Sequence, residues 1–280
     1  MLFTRDRWIF GGVSAGCIEG ELREKAWNAT TDGPALLVFD TRSDIDIMWG
    51  YGLGCPGVVE IMVERFNPDG ALAQISASLE QRSPLRIVTS LRESDLGARA
   101  WRSGDTVHGS EELINSSGDD FFTEELTAGP RLVIVGAGND ALPLERMARE
   151  VGWMTCVADP RAELASLDRF PSADQWVTAP VEELPAQLAL DPQSYVVVMT
   201  HNYLSDLALL PKLLASQSPY VGLVSSRLRS DRLMTDSGLE RPAKFYAPVG
   251  LPSRGEGPEE IALAILAQVQ GLLSQCESSA

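Results

Sequence analysis

The sequence predicts an α/β protein: a Rossmann-type doubly wound parallel sheet in the C-terminal part, plus an N-terminal mixed α+β domain. Three observations predict it. The run Arg131-Leu-Val-Ile-Val-Gly136-Ala-Gly138-Asn-Asp-Ala141 reads as a buried strand, a glycine turn and a helix start. Beyond it, short apolar runs alternate with helical patterns, the signature of right-handed βαβ units. Before it, strand and helix patterns are less legible and read as a mixed α+β domain.

The elements follow in order. Leu132 to Val135 is a continuous apolar run, as expected for a strand buried on both faces. Ala141 to Val151 is a short helix, and Met154 to Ala158 a second strand ending at Asp159. Gln175 to Thr178 is a third strand. Val181 to Leu190 reads as helix, with Pro180 suited to its start. Tyr195 to Thr200 is a fourth strand, Leu204 to Ser216 a helix and Tyr220 to Ser225 a fifth strand. A helix from Ser226 carries Arg227, Arg229 and Arg232. Pro258 to Leu273 is the last helix, with Glu259 and Glu260 where the dipole favours acids. The expected strand order is 3-2-1-4-5.

In the N-terminal part, Trp8 to Gly11 reads as a strand, Cys17 to Thr30 as a helix, Ala35 to Asp40 and Gly57 to Phe66 as strands, Ala71 to Glu80 as a helix and Leu85 to Ser90 as a strand. Gly109 to Pro130 is rich in Ser, Gly, Asp and Glu and reads as a linker, with Phe121 and Phe122 as anchors. The expected domains are therefore residues 1–108 and 131–280, joined by 109–130.

The chain has 280 residues, of which 44% are hydrophobic and 22% charged, enough for real cores. Its formal net charge of −16 argues against nucleic acid and anionic lipid as partners, both of which want a basic footprint. No apolar run is long enough to span a membrane. Four cysteines, none at CxxC spacing, with no leader sequence, point to a cytoplasmic protein with reduced thiols.

Gly136-Ala137-Gly138-Asn139-Asp-Ala141 fits G-x-G-x-x-A. Gly136 allows the tight turn, Gly138 a close backbone approach to pyrophosphate, and Ala141 the packing of helix on strand. Asp159, 23 residues after Gly136, stands where an acid bonds a ribose 2′-OH, and Arg161 could accept the extra phosphate of NADP. An NAD(P)-binding oxidoreductase is one reading of this pattern. A Rossmann domain that only scaffolds or dimerises is the other.

Two further turns carry thiols. Gly11-Gly-Val-Ser14-Ala-Gly-Cys17-Ile-Glu19 sets Cys17 at an expected helix start with Ser14 as N-cap, a place that favours thiolate. Gly52-Leu-Gly-Cys55-Pro-Gly-Val-Val-Glu60 sets Cys55 before a strand. Glycine-flanked thiols with acids nearby suit a soft metal or sulfur chemistry, and they equally suit small residues packed in tight turns. Cys17, Cys55, Glu19, Glu60 and His201 are the candidate chemical groups. Cys156 reads as core and Cys276 as incidental. His201, at the end of the fourth strand, reads as an acid/base or phosphate contact, or as a helix cap. Arg227, Arg229 and Arg232 read as an anion contact or a solvated face.

These segments together resemble the XdhC/CoxI family, accessory proteins of molybdenum hydroxylases such as xanthine dehydrogenase. Gly12 to Gly20 is similar to that family's G-x-V-S-G-G-C-V-E-G, and Tyr51 to Glu60 to its G-L-G-C-G-G-x-x-E. Val135 to Asn139 resembles its F-G-A-G-H. Asp159-Pro-Arg161, Met199-Thr-His201-Asn, Tyr220 to Arg227 and Pro258 to Ile261 recur in the family's order.

The resemblance implies a cytoplasmic, dimeric chaperone rather than a turnover enzyme. It implies transient binding of the molybdenum cofactor, with support of its sulfuration by a cysteine desulfurase and its insertion into an apo-hydroxylase. Cys17 and Cys55 are then the molybdenum contacts, and Gly136, Ala137, Gly138, Asn139, Ala141, Asp159, Arg161 and His201 the cofactor cradle. The chain departs from the family pattern at Asn139, where histidine is frequent, and at Pro56, where glycine is. Met1 to Ile9 resembles the second strand of the family's opening hairpin, so an earlier segment is expected to be missing.

Overall fold

The structure is a computed structural model. It describes residues 1–14, 16, 18–40, 57–252 and 257–277, with side chains as far as residue 273. The chain divides into two compact units, Met1–Ala128 and Gly129–Ala280.

The second unit is built on a six-stranded sheet whose neighbours all pair in parallel. In chain order its strands are β9 (Arg131–Val135), β10 (Met154–Ala158), β11 (Gln175–Val177), β12 (Ser194–Val198), β13 (Tyr220–Leu223) and β14 (Phe245–Tyr246). In space they run β11-β10-β9-β12-β13-β14, the expected order extended by one strand. β14 is only two residues long, too short to show as an apolar run. Every residue of β9, β12 and β13 is buried, which is why these segments read as continuous apolar runs.

Strand alternation divides that core in two. Leu132, Ile134, Val157, Tyr195 and Val197 face one side. There they meet Ala141, Leu144 and Ala148 of helix α4 (Ala141–Glu150) and Ala262, Ile265 and Val269 of helix α8 (Pro258–Glu277). Val133, Val135, Val196 and Val198 face the other, against Leu209 and Leu213 of α6 (Tyr203–Ala215) and Leu233 of α7 (Arg227–Ser237). Each such fully buried aliphatic side chain contributes about 1.5–3 kcal/mol.

The helix expected over Val181 to Leu190 contracts to α5 (Leu184–Gln187). Pro185 explains it. Its ring would collide with the carbonyl four residues back in a longer helix, and it has no N–H to give. The left-handed backbone of Ala189 (φ 44°) ends the segment.

The first unit is mixed, as expected. A hairpin joins β1 (Leu2–Phe3) to β2 (Trp8–Phe10), so the first ten residues form two strands and not one. Helix α1 (Glu19–Ala29) follows. It starts at Glu19 with Ile18 as N-cap, two residues later than expected, and Ser14 is not the cap. Strands β3 (Ala35–Asp40) and β4 (Val58–Val63) pair antiparallel, and Phe39 and Val63 join Ile18, Leu22 and Ala26 in a small core.

Helix α2 (Ala71–Glu80) then leads to a four-stranded antiparallel sheet of β5 (Leu85–Ser90), β6 (Arg99–Ser103), β7 (Thr106–His108) and β8 (Phe121–Leu126) in the order β7-β6-β5-β8. The linker expected over residues 109–130 is therefore corrected. Ser110 caps the short helix α3 (Glu111–Ile114) through a bond from the Leu113 N–H, and Phe121 to Leu126 pairs with β5 along its length. The loop between them and residues 127–130, where the chain passes from one unit to the other, keep the character that the composition suggests.

Candidate functional site

The glycine turn joins β9 to α4 as expected, but the reasons for its two glycines differ. Gly136 has φ 110°, and a Cβ there would lie 2.5 Å from the carbonyl carbon of Met199 and 2.7 Å from the Thr200 nitrogen. The end of β12 presses on it, so no side chain fits. Gly138 meets no such wall. A Cβ there would lie 2.6 Å from Oδ1 of Asp140, so the space beside Gly138 holds a carboxylate of the same turn.

Asp159 is 1% exposed, and both its oxygens are engaged. Oδ2 accepts the Ala137 N–H at 2.9 Å and Nη2 of Arg161 at 3.0 Å. Oδ1 accepts the N–H and Nε of Arg161 at 3.0 and 2.9 Å. Burial pushes this carboxyl up, but the bonds from Arg161 and Ala137 outweigh it and hold the group below its ordinary range. With about four acceptor sites on a carboxylate already used, Asp159 braces the turn instead of presenting itself to a ribose. Arg161 keeps more than half of its side chain in solvent.

His201 follows β12 in a left-handed conformation (φ 55°), a region that non-glycine residues enter sparingly. Its Nε2 donates to Oδ2 of Asp140 at 2.5 Å, which ties the end of β12 to the start of α4. It does not cap the next helix. Asn202 does, through a bond from the Ser205 N–H at 3.0 Å. Asn139 accepts a bond from Arg169, whose Nη2 also reaches the Ala137 carbonyl. Ala141 is fully buried against the sheet, as its place in the motif requires.

A cavity of about 400 Å³ opens at the carboxyl edge of the sheet. Val135, Gly136, Asp159 and Arg161 line one side and Thr200, His201, Asn202 and Ser205 the other. The connections leaving β9 and β12 pack on opposite faces of the sheet, so this is its topological switch point, where open α/β sheets bind ligands. Beneath it lies a buried network. Thr200 Oγ1 donates to Oδ1 of Asp206 and Nη2 of Arg229 to Oδ2, both at 2.5 Å, with Asp206 wholly buried. Burial raises the Asp206 carboxyl, while Thr200 and Arg229 pull the other way. Arg229 is thus committed to the core, and Arg232 lies over the Tyr203 ring.

Sequence reasoning brought Gly136, Asp159, Arg161 and His201 to one cleft. It did not single out Thr200, Asn202 and Ser205, whose signal was their place in and just after the Met199-Thr-His-Asn run. It also passed over Asp140, an acid inside a motif that ordinarily approaches phosphate.

In the first unit, Glu19 is 4% exposed and folds back on its own turn. Oε1 accepts the N–H groups of Val13 (3.2 Å) and Ser14 (2.7 Å), and Oε2 accepts the Ser14 hydroxyl at 2.6 Å. Burial raises this carboxyl, but those bonds lower it further, to about 2. Glu19 thus braces the turn that precedes α1. Glu60 stands exposed on β4, across from Val38. Cys17 and Cys55, with Pro56, lie outside the described residues, as does the side chain of Cys276. Cys156 is buried in β10, where burial pushes its thiol up to about 11. Among the described residues no three His, Cys, Asp or Glu side chains gather as a metal site, and no helix is long and apolar enough to cross a membrane.

Two family models match the chain: the XdhC Rossmann domain over residues 132–269, and the XdhC and CoxI family over residues 1–40. The chain is 30% identical to a probable xanthine dehydrogenase subunit of Bacillus subtilis, an alignment spanning 96% of this chain and 86% of that protein. It is 32% identical to the uncharacterized protein YqeB of Escherichia coli over 50% of this chain and 27% of that one. A crystal structure described as a xanthine dehydrogenase from Bacillus halodurans superposes with a TM-score of 0.84 at 29% identity, covering 98% of this chain and 85% of that one. The alignment over nearly the whole chain and the superposed fold agree with these models, and the chain belongs to the XdhC and CoxI family.

Proposed function

We propose that this chain is an accessory protein of a xanthine dehydrogenase-type molybdenum hydroxylase. It takes the molybdenum cofactor as cargo, supports its sulfuration and passes it to the apo-enzyme. The observation that carries the reading is the cleft at the carboxyl edge of the sheet, in a chain whose relatives bear the name of that enzyme. Its volume of about 400 Å³ lies in the range of small-molecule sites.

The residues there fit the anionic end of a phosphorylated cofactor. Arg161 offers a half-exposed guanidinium, and Thr200, Asn202 and Ser205 offer hydroxyl and amide groups around the start of α6. The cofactor supplies the metal centre that the hydroxylase uses. The chain's own part is to hold it, keep it in one orientation and release it. Cys17 and Cys55 are the proposed thiol contacts for molybdenum. A cysteine desulfurase as sulfur donor, a homodimeric state and a cytoplasmic location complete the reading. The NAD(P)-dependent oxidoreductase alternative has less support in this cleft, because the Asp159 oxygens already accept bonds from Ala137 and Arg161.

Reconstitution tests it. The full chain, purified from a host that makes the cofactor, is mixed with apo-hydroxylase, and hydroxylase activity is followed. Activation by the loaded chain and not by chain from a cofactor-deficient host is expected. Equal activation by both preparations, or none by either, would overturn the proposal.

A further inference from the structure

The seat that a Rossmann glycine turn normally offers to pyrophosphate is filled here by the protein itself. Asp140 is the residue before the first turn of α4, the position whose side chain ordinarily accepts an N–H bond from that helix. It makes no such bond. Its Oδ1 lies 2.6 Å from where a Cβ of Gly138 would be, and its Oδ2 is held at 2.5 Å by Nε2 of His201. The N–H groups of Gly138 and Asn139, which in such a turn face a phosphate, have no acceptor among the described residues. The carboxylate beside them keeps Oδ1 at the turn and gives Oδ2 to His201. His201 itself follows β12 with a left-handed backbone, φ 55°.

We infer that Asp140, held by His201, is a negative specificity determinant that closes this turn to the pyrophosphate of dinucleotides. A phosphate brought to Gly138 would meet the Asp140 carboxylate, whose Oδ1 lies 2.6 Å from the place of a Cβ there. It could enter only by displacing a hydrogen-bonded carboxylate. The open part of the cleft, toward Arg161 and the start of α6, is unaffected. The inference does not depend on which compound the chain carries there. It explains how a chain with a complete G-x-G-x-x-A motif declines the ligand that the motif suggests.

Calorimetric titration of the full chain with NAD⁺, NADP⁺ and ADP tests it. The unmodified chain should show no saturable binding of any of them below about 1 mM. Asp140→Ala, which empties the seat, and Asp140→Asn, which removes the charge and keeps a good helix-start residue, should each bind ADP and NAD⁺ about tenfold tighter or more. Glu150→Gln makes the same change in net charge at the exposed far end of α4 and should leave affinity as it was. Should the alanine variant fold poorly by circular dichroism, the asparagine variant decides. The inference is overturned if the unmodified chain binds NAD⁺ at micromolar concentration, if folded Asp140 variants bind no tighter, or if Glu150→Gln gains as much as they do.

Discussion

The N–H of Ala137 donates to Oδ2 of Asp159 at 2.9 Å, so the end of β10 holds the glycine turn that leaves β9. Ala137 is fully buried, and Asp159 is the acceptor that its N–H has. Asp159→Ala strands this N–H and releases Arg161 into solvent. It should destabilise the second unit by about 2–3 kcal/mol, read from urea unfolding. An unchanged midpoint would mean that the turn does not rely on this bond.

Gly136 is held by sterics from two directions, its φ of 110° and the carbonyl of Met199. Gly136→Ala should therefore cost about 3 kcal/mol or more, because strained backbone and backbone overlap add. Gly138→Ala should cost less, since it meets a side-chain oxygen of Asp140 and not backbone, at a residue without the positive φ of Gly136. Thermal melts of the two variants side by side check the contrast, and equal losses would contradict it.

Glu19 gives the first unit an acid-sensitive brace. Its folded value of about 2 lies below the ordinary 4.5, so its stabilisation is complete above the ordinary value and is lost as pH falls toward the folded one. That difference corresponds to about 3 kcal/mol between neutral pH and pH ~2. Glu19→Gln should lower stability at neutral pH and flatten the acid limb of the stability profile below pH ~4.5. A variant that keeps the full acid limb would place the titration elsewhere.

Asp206 and Arg229 form a pair with the carboxylate wholly buried. Asp206→Ala leaves a partly buried guanidinium with no partner and should cost about 3–5 kcal/mol. The double change Asp206→Leu with Arg229→Met should recover most of the loss, because the uncompensated charge is gone. Chemical denaturation of the single and double variants gives the comparison.

Much of the fold was legible because β9, β12 and β13 are buried on both faces and so spell unbroken apolar runs. Strand order followed from alternation with helices. What stayed hidden has specific causes. β6 (Arg99–Ser103) and β7 (Thr106–His108) mix charged and small residues, and only Trp101, stacked on His108, marks their core face. Phe121 to Leu126 carries two glutamates and follows a run of Ser, Gly and Asp, so its composition resembles a linker although its alternation suits an edge strand.

In the site, the motif placed Gly136, Asp159, Arg161 and His201 together. It could not show that the Asp159 carboxylate turns inward to Ala137, or that Asp140 reaches across to His201. Both are consequences of side-chain direction at strand and helix ends, which one sequence does not encode as a pattern.

The most direct test of the central claim is what the protein carries. The full chain is purified from a host that makes the molybdenum cofactor, and ligands released on denaturation are identified by mass spectrometry, with molybdenum counted by elemental analysis. A phosphorylated pterin with molybdenum is predicted, reduced in Arg161→Ala and in the Cys17→Ala, Cys55→Ala double variant. Release of a nicotinamide dinucleotide in its place, or full cofactor retention in both variants, would contradict the account.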